Sequence, residues 1–180
     1  MRKAIDNLLL YDVEFRGCAE QFAAETNGNS ETYAVNSMKD LEKAIDSFSN
    51  VKFLEIMLHG KPGMIDFADG GSMLGSYFGK MVNGKPFVQN DLRILFNSCN
   101  IGEGERGDKF MDELGKSLLM GKGGTIGATT VKNIVLLPES GFATGVFMKP
   151  LSFGRLKVVR YDTAGNRTVS RTVDRHGIIR

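Results

Sequence analysis

Two residues in this sequence have the chemistry a nucleophilic enzyme needs: a thiol at Cys99 and an imidazole at His59. An imidazole beside a thiol takes its proton, or holds it as the thiolate by being protonated, and the thiolate attacks a carbonyl carbon. The tetrahedral oxyanion then needs preorganised donors, for which the backbone N–H groups of Gly60 and Cys99 are the candidates. Glycine at position 60 also lets a substrate backbone approach without a Cβ in the way. Each residue alone reads as structural, because a single Cys at a strand end is ordinarily a small buried hydrophobe and a single His a hydrogen-bonded one. The signal is their joint placement. Both close an apolar run, both precede a glycine-bearing turn, and 40 positions separate them, room for one crossover helix between neighbouring strands. Cys18 and His176 lack this context and read as core and surface respectively.

The elements that must position the pair follow from periodicity and punctuation. The run from Val51 to Leu58 predicts a central parallel strand buried on both faces, delivering His59. The run from Leu92 to Phe96 predicts a second such strand, delivering Asn97, Ser98 and Cys99. Further strands are expected at Leu8 to Phe15, Tyr33 to Val35 and Thr125 to Thr130. Helices are expected over Gly17 to Thr26, from Ser37 to about Phe48, over Ser72 to Val82 and over Asp108 to Met120. Ser37 followed by Asp40 resembles a capping box with Asp in place of Glu, and Met73, Leu74, Tyr77, Phe78 and Met81 form the apolar stripe of the third helix. Met64 to Phe67 reads as a hairpin arm, and Leu156 to Tyr161 with Thr168 to Val173 as a hairpin closed by a glycine-bearing turn. The alternation predicts an α/β fold, a three-layer sandwich with a mainly parallel central sheet plus a C-terminal β-hairpin. One domain over residues 1–180 is expected, with its core at about 1–135 and a basic hairpin region at about 149–175. In such a sheet functional residues gather beyond the carboxyl ends of the strands.

Composition removes several classes of function. With 42% apolar and 24% charged residues the chain can build a core, which excludes disorder. No run approaches 18 apolar residues, so no membrane span is expected, and the N-terminal apolar stretch, interrupted by Asp6, is too short for a secretory signal. Two cysteines do not make a disulfide scaffold, and with two histidines they make no zinc site unless carboxylates help, so no metal is expected. Thiols without a signal suggest a reducing cytoplasm, that of the chain's own cell or of a target cell. Nothing suggests nucleic-acid reading. Gly121 to Thr125 follows a helix and precedes a strand, the reverse of a phosphate loop. The net charge of +2 is uneven: residues 149–180 hold eight basic and two acidic residues, the rest 15 basic and 19 acidic. Such a tail is either a solvated hairpin or a seat for a polyanion.

The residues around the pair resemble a known superfamily. Leu58-His59-Gly60-Lys61-Pro62-Gly63-Met64-Ile65 resembles the caspase block in which His-Gly is followed by two residues, Gly and an apolar pair. Ile94-Leu95-Phe96-Asn97-Ser98-Cys99 resembles the apolar strand leading into the caspase nucleophile. The form Ser98 to Gly104, with Gly107 and Phe110, is more similar to bacterial caspase-like domains and to the self-cleaving domains of toxins. The resemblance covers roughly residues 40 to 130. It departs at Gly102, one place later than the caspase glycine, and at Asn97, which stands where caspases have Gln. It implies a cysteine endopeptidase, of bacterial effector or toxin type, acting on a protein or peptide through a thioester, with Cys99 as nucleophile, His59 as general acid and base, and Asn97 in the first specificity pocket. Toxin domains place a basic β-flap after the nucleophile that binds inositol hexakisphosphate. Arg155, Lys157, Arg160, Arg167 and Arg171 fall in the corresponding region, and Lys52 and Lys61 flank the histidine strand, which together imply an anionic activator and no required cofactor. A caspase-fold interaction module without turnover and a polyanion-binding regulatory domain are the alternatives.

Overall fold

The computed structural model describes residues 1–26, 28–130 and 156–173. Its elements in chain order are β1 (Lys3–Ala4), β2 (Asn7–Tyr11), a 3-10 turn (Val13–Phe15), α1 (Arg16–Glu25), β3 (Ser30–Ala34), α2 (Met38–Ser47), β4 (Phe48–Ser49) and β5 (Val51–Met57). There follow β6 (His59–Lys61), β7 (Met64–Asp66), β8 (Ser72–Met73), α3 (Gly75–Val82), β9 (Val88–Phe96), α4 (Gly104–Leu118), β10 (Gly124–Thr129), β11 (Leu156–Tyr161) and β12 (Arg167–Val173). Seven strands form one sheet in the order β12-β11-β10-β9-β5-β2-β3. The five from β3 to β10 run parallel, and β11 and β12 extend the sheet as an antiparallel hairpin. The fold is thus mixed α/β with a mostly parallel sheet and a C-terminal hairpin, as the alternation predicts.

Alternate side chains of a strand point to opposite faces, and the core divides accordingly. Leu8, Leu10, Leu54 and Ile56 pack in a large cluster with Leu41 and Ile45 of α2, Phe78 of α3 and Phe110 and Leu114 of α4. Leu9 and Met57 instead join Cys18, Ala19 and Phe22 of α1. So α1 covers one face while α2, α3 and α4 cover the other, the two-sided burial that lets β5 read as a nearly unbroken apolar run. At the head of α2, Ser37 Oγ accepts from the Asp40 amide at 3.2 Å and donates to Asp40 Oδ2 at 2.8 Å, as the capping signal implies.

Several boundaries differ from expectation, β9 beginning at Val88 instead of Leu92 and β3 at Ser30 instead of Tyr33, and three of the differences have a local reason. The first strand ends at Tyr11, because Asp12 accepts the Glu14 amide at 3.0 Å and turns the chain into a 3-10 turn. Ser72 and Met73 pair with β7 instead of starting α3, so Leu74 and Tyr77 are about half exposed and are not part of a buried stripe. The last helix begins at Gly104, ahead of the expected Asp108, because the polar turn that precedes its apolar stripe is already helical. No helix among the described residues is long and apolar enough to cross a membrane.

Candidate active site at the ends of β5 and β9

The register Leu54↔Ile94 and Ile56↔Phe96 makes β5 and β9 adjacent parallel strands with level carboxyl ends. His59 comes two residues past the end of β5, and Cys99 three past the end of β9. His59 opens a small sheet, β6-β7-β8, whose first hairpin folds back beside the Cys99 turn. A methyl group on Gly60 would lie 3.0 Å from Ser98 Cβ and 3.3 Å from the Cys99 carbonyl oxygen. The bare Cα of Gly60 is therefore what lets the two turns touch, a role in loop packing where the sequence suggests room for substrate. At the hairpin tip the Gly63 amide donates to the Ile101 carbonyl at 3.0 Å.

The Cys99 turn is held from two further sides. Thr129, at the end of β10, donates its hydroxyl to the Ser98 carbonyl, and its own carbonyl accepts from the Gly102 amide at 2.8 Å. Asn100 takes a left-handed conformation at φ 54°, which asparagine tolerates better than most residues, and redirects the chain toward α4. Gly107 of α4 lies so close beneath that a methyl there would sit 2.1 Å from the Gly102 carbonyl carbon. Cys99 itself is half-buried and in no disulfide.

Beneath the turn lies a group that the sequence pattern does not single out. Glu55 of β5 is fully buried, accepts from Asn97 Nδ2 at 3.3 Å through Oε1, and has no hydrogen-bond partner for Oε2. Burial pushes its carboxyl up to about 8, and the Asn97 bond only partly opposes this. Burial, with the Glu55 charge second, also raises the Cys18 thiol. The Asn97 amide N–H donates to the Ile56 carbonyl at 2.9 Å. Asn97, expected at a specificity pocket, thus ties the thiol-bearing strand to the imidazole-bearing one.

His59 is exposed and faces its other neighbour as well. Nε2 lies 3.2 Å from Glu14 Oε2, and the ring stands 5.4 Å from the Phe15 ring. Glu14 and Phe15 follow β2, which flanks β5 on the side away from β9. The imidazole is therefore turned toward the carboxylate and ring that follow β2, while its neighbour Gly60 is the residue that meets the Cys99 turn. Asp12, Glu14 and His59 each offer a ligand atom within 4.8 Å of the other two. An expectation of no metal that rests on counting cysteines and histidines misses this cluster, because Leu8 to Phe15 reads as one strand. The Asx-turn pattern of Asp12 is the signal that could have found it.

The basic hairpin is committed to carboxylates of the body. Lys157 and Arg167 lie 3.0 and 3.1 Å from Asp108, Arg167 also 2.9 Å from Asp112, and Arg160 3.1 Å from Asp91. Partial burial pushes the Asp108 carboxyl up, but Lys157 and Arg167 outweigh it and hold it below its ordinary value. Lys52 and Lys61 pair with Asp6 and Asp66. Arg171 lies on exposed β12, and Arg155 lies outside the described residues. Compared with protein-family models, characterised proteins and solved structures, the chain matches none of them.

Proposed function

We propose that the chain is a caspase-like cysteine peptidase in which Cys99 is the nucleophile and His59 the general acid and base. The observation that carries this reading is the contact of Gly60 with Ser98 and the Cys99 carbonyl, which brings the two turns together at level ends of adjacent parallel strands. With Nε2 facing Glu14, proton exchange with the thiol requires the exposed ring to turn Nδ1 toward Cys99. In the reaction the thiol proton passes to His59 and the thiolate adds to the scissile carbonyl carbon. The C–N bond breaks as the imidazolium gives its proton to the leaving amine. Water, deprotonated by His59, then cleaves the thioester and restores the thiol. A groove of about 270 Å3 between the β6–β7 hairpin and α4, lined by Met64, Leu74 and Phe110 and by the charged Lys61, Arg106, Lys109 and Glu113, offers a mixed surface to a polypeptide.

A peptidyl electrophile that alkylates thiols tests the reading and separates it from an interaction module without turnover. Rapid labelling of Cys99, slowed at least about tenfold by His59→Ala, is the expected result. Equal labelling rates in the two proteins would remove His59 from the mechanism. Cleavage of a peptide library that persists in Cys99→Ala would remove Cys99.

A further inference from the structure

The second flank of His59 occupies the crevice where an open α/β sheet binds its ligands. Such crevices lie beyond the carboxyl ends of neighbouring strands whose connections leave toward opposite faces. Here β2 leads into α1 on one face and β5 leads into α3 on the other. Asp12 and Glu14 follow β2, His59 follows β5, and the three converge between the strand ends.

Asp12 is only 1% exposed. Its Oδ1 is taken by the Glu14 amide, while Oδ2 has no hydrogen-bond partner. A buried carboxylate is ordinarily paired with a charge or bound to a metal. The 3.2 Å between Glu14 Oε2 and His59 Nε2 is long for a charge-assisted hydrogen bond. It is the spacing of two ligands on one ion, with bonds of about 2.1 Å meeting at about 100°. The three ligand atoms lie within 4.8 Å of one another and must close to about 3.5 Å, a small rotation for the exposed Glu14 and His59 side chains.

We infer that Asp12, Glu14 and His59 form a binding site for a first-row divalent metal ion, Zn2+ fitting best, with a fourth position open to water. The imidazole favours Zn2+ or Co2+ over Mg2+ and Ca2+, and the two carboxylates leave no place for an ion that needs soft sulfur ligands. The site takes no ligand from Cys99, so it stands whether or not that thiol is a nucleophile.

Calorimetric titration of Zn2+, and separately of Co2+, into the chelator-treated Cys99→Ser chain tests it without a contribution from that thiol. The expected result is one saturable equivalent, weakened at least about tenfold in Asp12→Asn and again in Glu14→Gln. Asparagine keeps an oxygen for the Glu14 amide, so the turn survives that change, and Glu14 is exposed, so glutamine there does not disturb folding. Unchanged affinity in either variant, or no saturable binding by the Cys99→Ser chain, overturns the site.

Discussion

Replacing Glu55 by Gln should stabilise the chain increasingly as pH rises. In the folded protein this carboxyl titrates at about 8, against an ordinary value of 4.5. Between those values the unfolded chain has lost the Glu55 proton while the native state keeps it, so the native state binds more protons. Stability then falls with rising pH, by as much as about 1.4 kcal/mol per unit. Integrating the two titrations from pH 5 to pH 8 gives a loss of roughly 3 to 4 kcal/mol from this one group. The amide in Glu55→Gln would fill nearly the same volume, keep an oxygen for Asn97 Nδ2, and carry no proton to lose. The assay is urea unfolding of both proteins at pH 5, 6.5 and 8. Every other titration cancels in the difference between them, so the variant's advantage should grow by about that amount across the range. A difference that stays flat from pH 5 to pH 8 would refute the assignment of a neutral buried acid between β5 and β9.

Two further changes test how the site is held. Gly60→Ala places a methyl against Ser98 and the Cys99 carbonyl, so it should cost about 1 kcal/mol in urea unfolding and slow alkylation of Cys99 more than that loss accounts for; wild-type values of both would show that the turns do not depend on their contact. Arg167→Ala removes the bridge from the hairpin to Asp108 and Asp112, with an expected loss of about 1 kcal/mol, discounted for partial exposure. Because Asp108 is held below its ordinary 3.8, its share is present above that value and disappears as pH falls through the lowered one, so the deficit measured at neutral pH should shrink in acid.

Much of the fold is legible in the sequence because burial on two faces leaves an apolar run and burial on one leaves a stripe. Val51 to Met57 and Leu92 to Phe96 show the first pattern, Leu41, Ala44 and Ile45 the second, and all fall within elements of the type they predict, although β9 begins earlier, at Val88. The ends are less legible, since they are set by single hydrogen bonds and by tertiary pairing. Asp12 stops a strand with one side-chain bond, and Met73 is drawn into β8 by Ile65, a partner eight residues away. At the site, the two strand ends that carry His59 and Cys99 can be read from the sequence, but not what surrounds them. Glu55 hides in an apolar run because its charge is suppressed by the burial that the run creates. Asn97 is visible as a polar residue at a strand end, yet its partner 42 positions away is set by register. Glu14 reaches His59 only because β2 is laid beside β5.

That arrangement makes one imidazole the common member of two chemistries that exclude each other. A metal takes the neutral ring and displaces its proton, whereas a thiolate–imidazolium pair needs the ring protonated. If both readings hold, metal bound at Nε2 opposes activation of Cys99, and by reciprocity whatever draws His59 into the ion pair with the thiolate weakens the metal by the same factor. Glu14 serves either state, as a ligand to the ion or as the carboxylate beside the imidazolium, so it cannot by itself decide between them. Asp12 can. It is buried, its Oδ2 is unpartnered, and no step of the proposed peptidase reaction uses it; a change there would weaken the proposed metal site without altering Cys99 or His59.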